Sequence, residues 1–151
     1  MSKMKKFQFE TLGAIHCVKT GEWLYQSSLM LRVRALSQKL KNNFINANST
    51  VLICVSDRID TLVSLLAVWS IGGTAAILHA QSSDYEISEL KKLTGASLIL
   101  TNESRELKAS SLPKIMSIPI ENIDKALDLN DSVLRVPCSA RLMLFTSGTT
   151  G

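Results

Sequence analysis

The chain has 151 residues, of which 46% are hydrophobic and 20% charged, with a formal net charge of +4. That is enough apolar chain for one domain with its own core, and it excludes disorder of the whole chain. Aromatics at 5% and dispersed basic residues exclude a stacking platform for single strands and a concentrated phosphate-backbone surface, so no nucleic-acid partner is expected.

Lys3, Lys5 and Lys6 form a short basic tip that reads as solvated surface. The apolar stretch Leu12–Ile15 after it is interrupted by His16 and lacks a clean cleavage site, so no export signal is read there. Cys17, Cys54 and Cys138 are far apart and odd in number, without CxxC or Cys/His metal spacing. They fit a reduced, cytoplasmic protein with thiols as small packing residues and no metal among its own ligands.

The first strongly periodic region opens at Trp23-Leu24-Tyr25 and continues through Leu29, Val33, Leu36 and Leu40. Steps of four, three and four place these leucines and the valine on one helical stripe, with Arg32, Arg34, Lys39 and Lys41 as its solvated side. Val51–Val55 is a continuous apolar run, the pattern of a strand covered on both faces. Ser56 and Asp57 supply a helix N-cap, and a buried helix is predicted from about Ile59 to Ile71, with Gly72 as a left-handed C-cap. Within it Trp69, flanked by leucines at helical spacing, reads as core packing rather than as the wall of an acyl pocket. Asp57 and Asp60 read as a cap and a first-turn acid that complement the helix dipole.

Thr74–Leu78 is the next predicted strand. The run from Leu62 to Leu78 is broken by Ser64, Ser70 and Gly72-Gly73, so it reads as helix, turn and strand rather than as a membrane span. His79 reads as a satisfied histidine at a strand end rather than a proton carrier. Ser83 and Glu86 form a capping box for a helix from Asp84 to Leu93, which Gly95 ends; Ser97–Thr101 is again a strand. Further on, Ile115–Ile118 reads as a short strand, Ile123–Leu127 as a turn or two of helix, and Arg141–Phe145 as a buried strand. Strands alternating with helices over short connections predict an α/β fold, a mostly parallel sheet with flanking helices.

That last strand runs directly into Thr146-Ser147-Gly148-Thr149-Thr150-Gly151. Glycines let backbone N–H groups approach an anion, and the hydroxyls add donors, so such a loop is suited to phosphate. It does not fit GxxxxGK[ST], and no GxGxxG follows any strand. On its own residues it is either a phosphate loop of another kind or a flexible turn.

LMLFTSGTTG resembles the first half of the phosphate-loop signature of adenylate-forming enzymes: acyl-CoA synthetases, peptide-synthetase adenylation domains and luciferases. Three upstream segments are similar to the same family in the same order. SIGGTAAIL is similar to KAGG-x-x-x-PL, LKKLTGASLILT to L-x-x-x-x-G-A-K-x-L-L-T, and Trp23–Leu40 to the x-T-Y-x-E-L opening. Leu78-His79-Ala80 departs from the Pro, Leu and Asp run common there, and in the opening only Tyr25 and the helical spacing match well.

The resemblance covers about residues 22–151. It implies the first part of the large N-terminal domain of an adenylate-forming enzyme, with residues 1–21 as a lead-in. The family pattern continues past Gly151 with a variable residue and Pro-Lys-Gly, so the expectation is an incomplete AMP-binding domain truncated in the phosphate loop. By carry-over Thr146, Ser147, Gly148, Thr149, Thr150 and Gly151 would hold the β- and γ-phosphates of ATP, with Thr146 and Ser147 hydroxyls in direct contact and Mg²⁺ assisting. The implied reaction joins a fatty or aryl carboxylic acid to AMP, releasing pyrophosphate, then transfers the acyl group to the thiol of CoA or of a phosphopantetheine-bearing acyl carrier protein. The alternative expectation is a catalytically inactive remnant, or a stand-alone α/β interaction or nucleotide-binding domain.

Overall fold

A computed structural model describes residues 7–9, 13–101, 114–117 and 134–145. Among the described residues two short antiparallel pairings stand apart from the principal sheet. β1 (Phe7–Phe9) pairs with β8 (Leu134–Val136), and β2 (Ala14–Cys17) forms a hairpin with β3 (Glu22–Tyr25). The hairpin turn places Gly21 at a φ of 71°, and its N–H donates to the Cys17 carbonyl over 2.8 Å. Trp23 and Tyr25 therefore belong to a strand. The helix of the apolar stripe, α1, spans Gln26–Asn42 and starts after Tyr25 without a side-chain cap.

Five strands make the principal sheet: β4 (Thr50–Cys54), β5 (Thr74–Ile77), β6 (Leu98–Thr101), β7 (Lys114–Ser117) and β9 (Arg141–Leu144). Their order is β7-β6-β4-β5-β9, and every neighbouring pair is parallel. Helix α2 (Arg58–Ser70) connects β4 to β5, and α3 (Asp84–Thr94) connects β5 to β6. The α/β reading and the parallel sheet are borne out. The helix read over Ile123–Leu127 lies outside the described residues.

Alternation along β4 divides the core in two. Val51 and Ile53 pack with α1 and α2 through Leu29, Val33, Leu36, Leu40, Val63 and Leu66. Leu52 and Cys54 face the other way, toward Ile87 of α3 and Ile99 of β6. A central parallel strand must be apolar on both faces because a helix layer covers each, and β4 is buried from Val51 to Cys54. Between α1 and α2 the polar contact is small: Ser37 Oγ meets Ser70 Oγ at 2.7 Å and also donates to the Val33 carbonyl.

The caps follow the side-chain chemistry. Asp57 alone is the N-cap of α2, its carboxylate accepting from the N–H groups of Ile59 and Asp60. Ser83 and Glu86 form the capping box of α3, and Gly95 closes that helix at a φ of 66°. The Ser83 amide holds the Glu86 carboxyl below its ordinary range, because a donated hydrogen bond favours the ionised form. Asp60 stands in the first turn of α2, as read. It is buried, and desolvation raises its carboxyl, with Asp57 adding to the rise and Arg32 opposing it.

Candidate functional site

Because β4, β5, β6 and β9 run parallel, their carboxyl ends share one edge of the sheet. The chain leaves β4 toward the face of α2 and leaves β5 toward the face of α3. Adjacent strands whose connections depart to opposite faces open a crevice at that edge, where open α/β sheets bind ligands.

At that edge Cys54 Sγ donates to the His79 carbonyl over 3.3 Å. The His79 side chain is exposed, and its Nδ1 accepts from the Gln81 N–H over 3.2 Å. The histidine at the strand end is thus satisfied locally, at the solvent rather than in the core. Ile77 pairs with Leu144, so His79 and Thr146 each stand two residues beyond a paired position on adjacent strands.

Thr146, Ser147, Gly148, Thr149, Thr150 and Gly151, the expected phosphate-holding residues, lie outside the described residues. The structure does describe the strand that delivers them. β9 pairs with β5 from Thr74↔Arg141 to Ile77↔Leu144, and Phe145 packs against the second core cluster beside Leu78 and Ile87. Contrary to the expectation of a buried strand, all four β9 residues are exposed, Leu144 to 68%. The reason is position: β9 is outermost in the described sheet, with β5 as its neighbour.

Trp69 packs against the core, as read, but only in part. It is half-buried against the first cluster, and its Nε1–H donates to the Arg141 carbonyl over 2.9 Å, at the start of β9. A lone indole donor among leucines carried no sequence signal for this bond, which spans 72 positions.

A cleft of about 650 Å³ lies between the β2–β3 hairpin and the start of α2, lined by His16, Cys17, Lys19, Asp57, Arg58 and Ile59 among others. His16 stacks on Trp23 with ring centroids 4.5 Å apart. The Cys17 thiol is held below its usual range, first by the Thr20 hydroxyl and then by the Thr20 amide. Cys54 is buried as a packing residue, whereas Cys138 is exposed. Among the described residues no group of His, Cys, Asp and Glu is arranged to hold a metal ion, and no helix is long and apolar enough to cross a membrane.

The family described as AMP-binding enzyme matches residues 8–151. The chain belongs to this family. Curated relatives include nonribosomal peptide synthetase 1 of Ajellomyces capsulatus, 27% identical over 154 residues, which cover 95% of this chain and 7% of that protein. Gramicidin S synthase 2 of Brevibacillus brevis is 25% identical over 142 residues, covering 94% of this chain and 3% of that protein. The chain thus spans a small part of the curated relatives it matches. Among solved structures, an O-succinylbenzoate coenzyme A synthetase of Bacillus subtilis in complex with AMP superposes with a TM-score of 0.67 at 18% identity, over 86% of this chain and 34% of that one. An acyl-CoA synthetase of Brucella canis gives 0.67 at 19% identity, over 85% and 27%. The architecture is that of the N-terminal domains of adenylate-forming enzymes.

Proposed function

We propose that this AMP-binding chain forms the first part of the large N-terminal domain of an enzyme that activates a carboxylic acid with ATP and passes the acyl group to a thiol. The observation that carries the reading is a family match over residues 8–151, in which TSGTTG follows the parallel strand β9 in the sequence. Residues 22–151 are assigned to the AMP-binding domain and 1–21 to a lead-in, with the rest of that domain supplied by polypeptide after Gly151.

The donor set fits a polyphosphate. Thr146, Ser147, Thr149 and Thr150 offer hydroxyls, while Gly148 and Gly151 leave backbone N–H groups open to an anion. These residues bind and orient the β- and γ-phosphates, which fixes the α-phosphate for attack by the substrate carboxylate. Mg²⁺, when bound, neutralises phosphate charge. The acceptor is CoA or the phosphopantetheine of a carrier protein. Among the structural neighbours, an adenylation–PCP di-domain supports a carrier and CoA synthetases support CoA.

Substrate-dependent ATP–pyrophosphate exchange by the full-length protein, across a panel of fatty, aryl and amino acids, tests the proposal. Exchange with at least one acid is the expected result, and silence across the panel overturns it. Residues 1–151 alone are expected to give no turnover. The coding sequence after Gly151 is expected to specify a variable residue followed by Pro-Lys-Gly. A stop codon there, with no exchange, favours the second reading of an inactive α/β domain.

A further inference from the structure

The cleft between the β2–β3 hairpin and the start of α2 has no part in the function proposed above. Its volume of about 650 Å³ lies within the range of small-molecule sites. One wall comes from β2 and the turn after it, the other from the residues that link β4 to the first turns of α2. Ile59 is buried, and Ile15 and Leu62 are partly buried against the first core cluster. These three supply the apolar part of the lining.

The charged part is uneven. Lys19 on the hairpin side and Arg58 on the helix side are both exposed. Among the described residues no carboxylate pairs with either of them. The one carboxylate on the lining, Asp57, already accepts from the N–H groups of Ile59 and Asp60. His16, also on the lining, has its ring stacked on Trp23.

Two cations beside three aliphatic side chains select a particular chemistry. An inorganic anion would leave the apolar lining in water, and a neutral apolar molecule would gain nothing from Lys19 and Arg58. A molecule that carries both features removes apolar surface from water and accepts charge-assisted hydrogen bonds at the same time. We propose that this cleft binds a small organic anion with an apolar body, its charge held by Lys19 and Arg58 and its body against Ile15, Ile59 and Leu62. The proposal stands apart from the ATP-dependent reaction and does not rest on it.

Cys17, on the same lining, is the reporter for the test. Hydrogen bonds from the Thr20 hydroxyl and amide hold its thiol below the usual range, which favours the reactive thiolate. The full-length protein is treated with iodoacetamide near neutral pH, and alkylation of Cys17 is followed by peptide mass spectrometry. The exposed Cys138 is the internal control. Naphthalenesulfonate is the probe, because it offers no carboxylate to the adenylation reaction. It is expected to slow Cys17 alkylation by about ten-fold at roughly ten times its Kd and to leave Cys138 unchanged. Naphthylmethylammonium, a cation of similar size, is expected to give no protection.

Arg58→Gln and Lys19→Gln are each expected to raise the half-protecting concentration of naphthalenesulfonate about five-fold. Alkylation without the probe, and thermal unfolding, are expected to stay as in the unmodified protein, since both side chains are exposed. Equal protection by the cation, or protection unaltered in both variants, means apolar adsorption without the charge contact and overturns the proposal. Absence of protection also overturns it. So does a Cys17 that fails to react at all, because the cleft is then closed in the whole protein.

Discussion

β4 and β9 are written in nearly the same alphabet, TVLIC and RLML, and both run parallel to β5 on its two sides. Yet Val51, Leu52 and Ile53 are fully buried, while Leu142, Met143 and Leu144 are 42%, 37% and 68% exposed. The difference is in what stacks on each strand. β4 lies mid-sheet with α1 and α2 on one face and α3 on the other. β9 is outermost among the described strands, and its start is tied by single bonds from Trp69 and Gly73. An apolar run therefore specifies a strand that can be covered on both faces, and its surroundings decide whether it is.

The largest expected effect breaks the comparison at the centre. Leu52→Ala removes a fully buried side chain from between the sheet and Ile87, and is expected to cost about 2–5 kcal/mol in urea unfolding. Leu144→Ala is expected to cost under about 0.5 kcal/mol by the same measurement. Equal losses at the two sites would refute the assignment of β9 as an open strand.

Next in size is the cap that follows β4. Asp57→Ala leaves the N–H groups of Ile59 and Asp60 without their acceptor, and is expected to cost about 1 kcal/mol. Asp57→Ser, which keeps an acceptor, is expected to recover most of that in thermal unfolding.

Asp60 sharpens the same region through pH. Its folded carboxyl lies above the ordinary value, so the native state holds a proton more tightly than the unfolded chain. Stability from this group is therefore lost as pH rises from the usual carboxylate value of 3.8 through the raised one, and is flat above. Asp60→Asn should abolish that slope and be at least as stable as the unmodified protein at pH 7. A marked destabilisation at pH 7 would mean that the attraction to Arg32 outweighs burial.

Glu86 gives the smallest effect and the opposite sign. Its carboxyl is depressed by the Ser83 amide, so its contribution is present at neutral pH and disappears as pH falls through the depressed value. Glu86→Gln should flatten the acid limb of the Tm–pH curve slightly; an unchanged limb would argue that the capping box adds no charge-dependent stability.

Local chemistry was legible from residues alone. The stripe Leu29, Val33, Leu36 and Leu40, the Ser83–Glu86 box and the left-handed Gly95 depend on residues a few positions apart, and each is found as read. The strand–helix alternation and the family resemblance likewise needed only sequence, and the match over residues 8–151 agrees with them. The β2–β3 hairpin was not legible, because AIHC and EWLY are short and Trp23-Leu24-Tyr25 runs straight into a helical stripe.

The sequence by itself determined the three helices, the strands between and after them, their alternation, and a glycine-, serine- and threonine-rich segment placed after a strand. Tertiary structure decided that β9 lies beside β5 rather than β4, that its apolar residues stay open to solvent, that Asp60 is buried, and that Trp69 reaches Arg141. Helix periodicity and capping are set by neighbours in the chain. Strand order, coverage and a bond between residues 72 positions apart depend on which surfaces the folded chain brings together, and no local pattern encodes that.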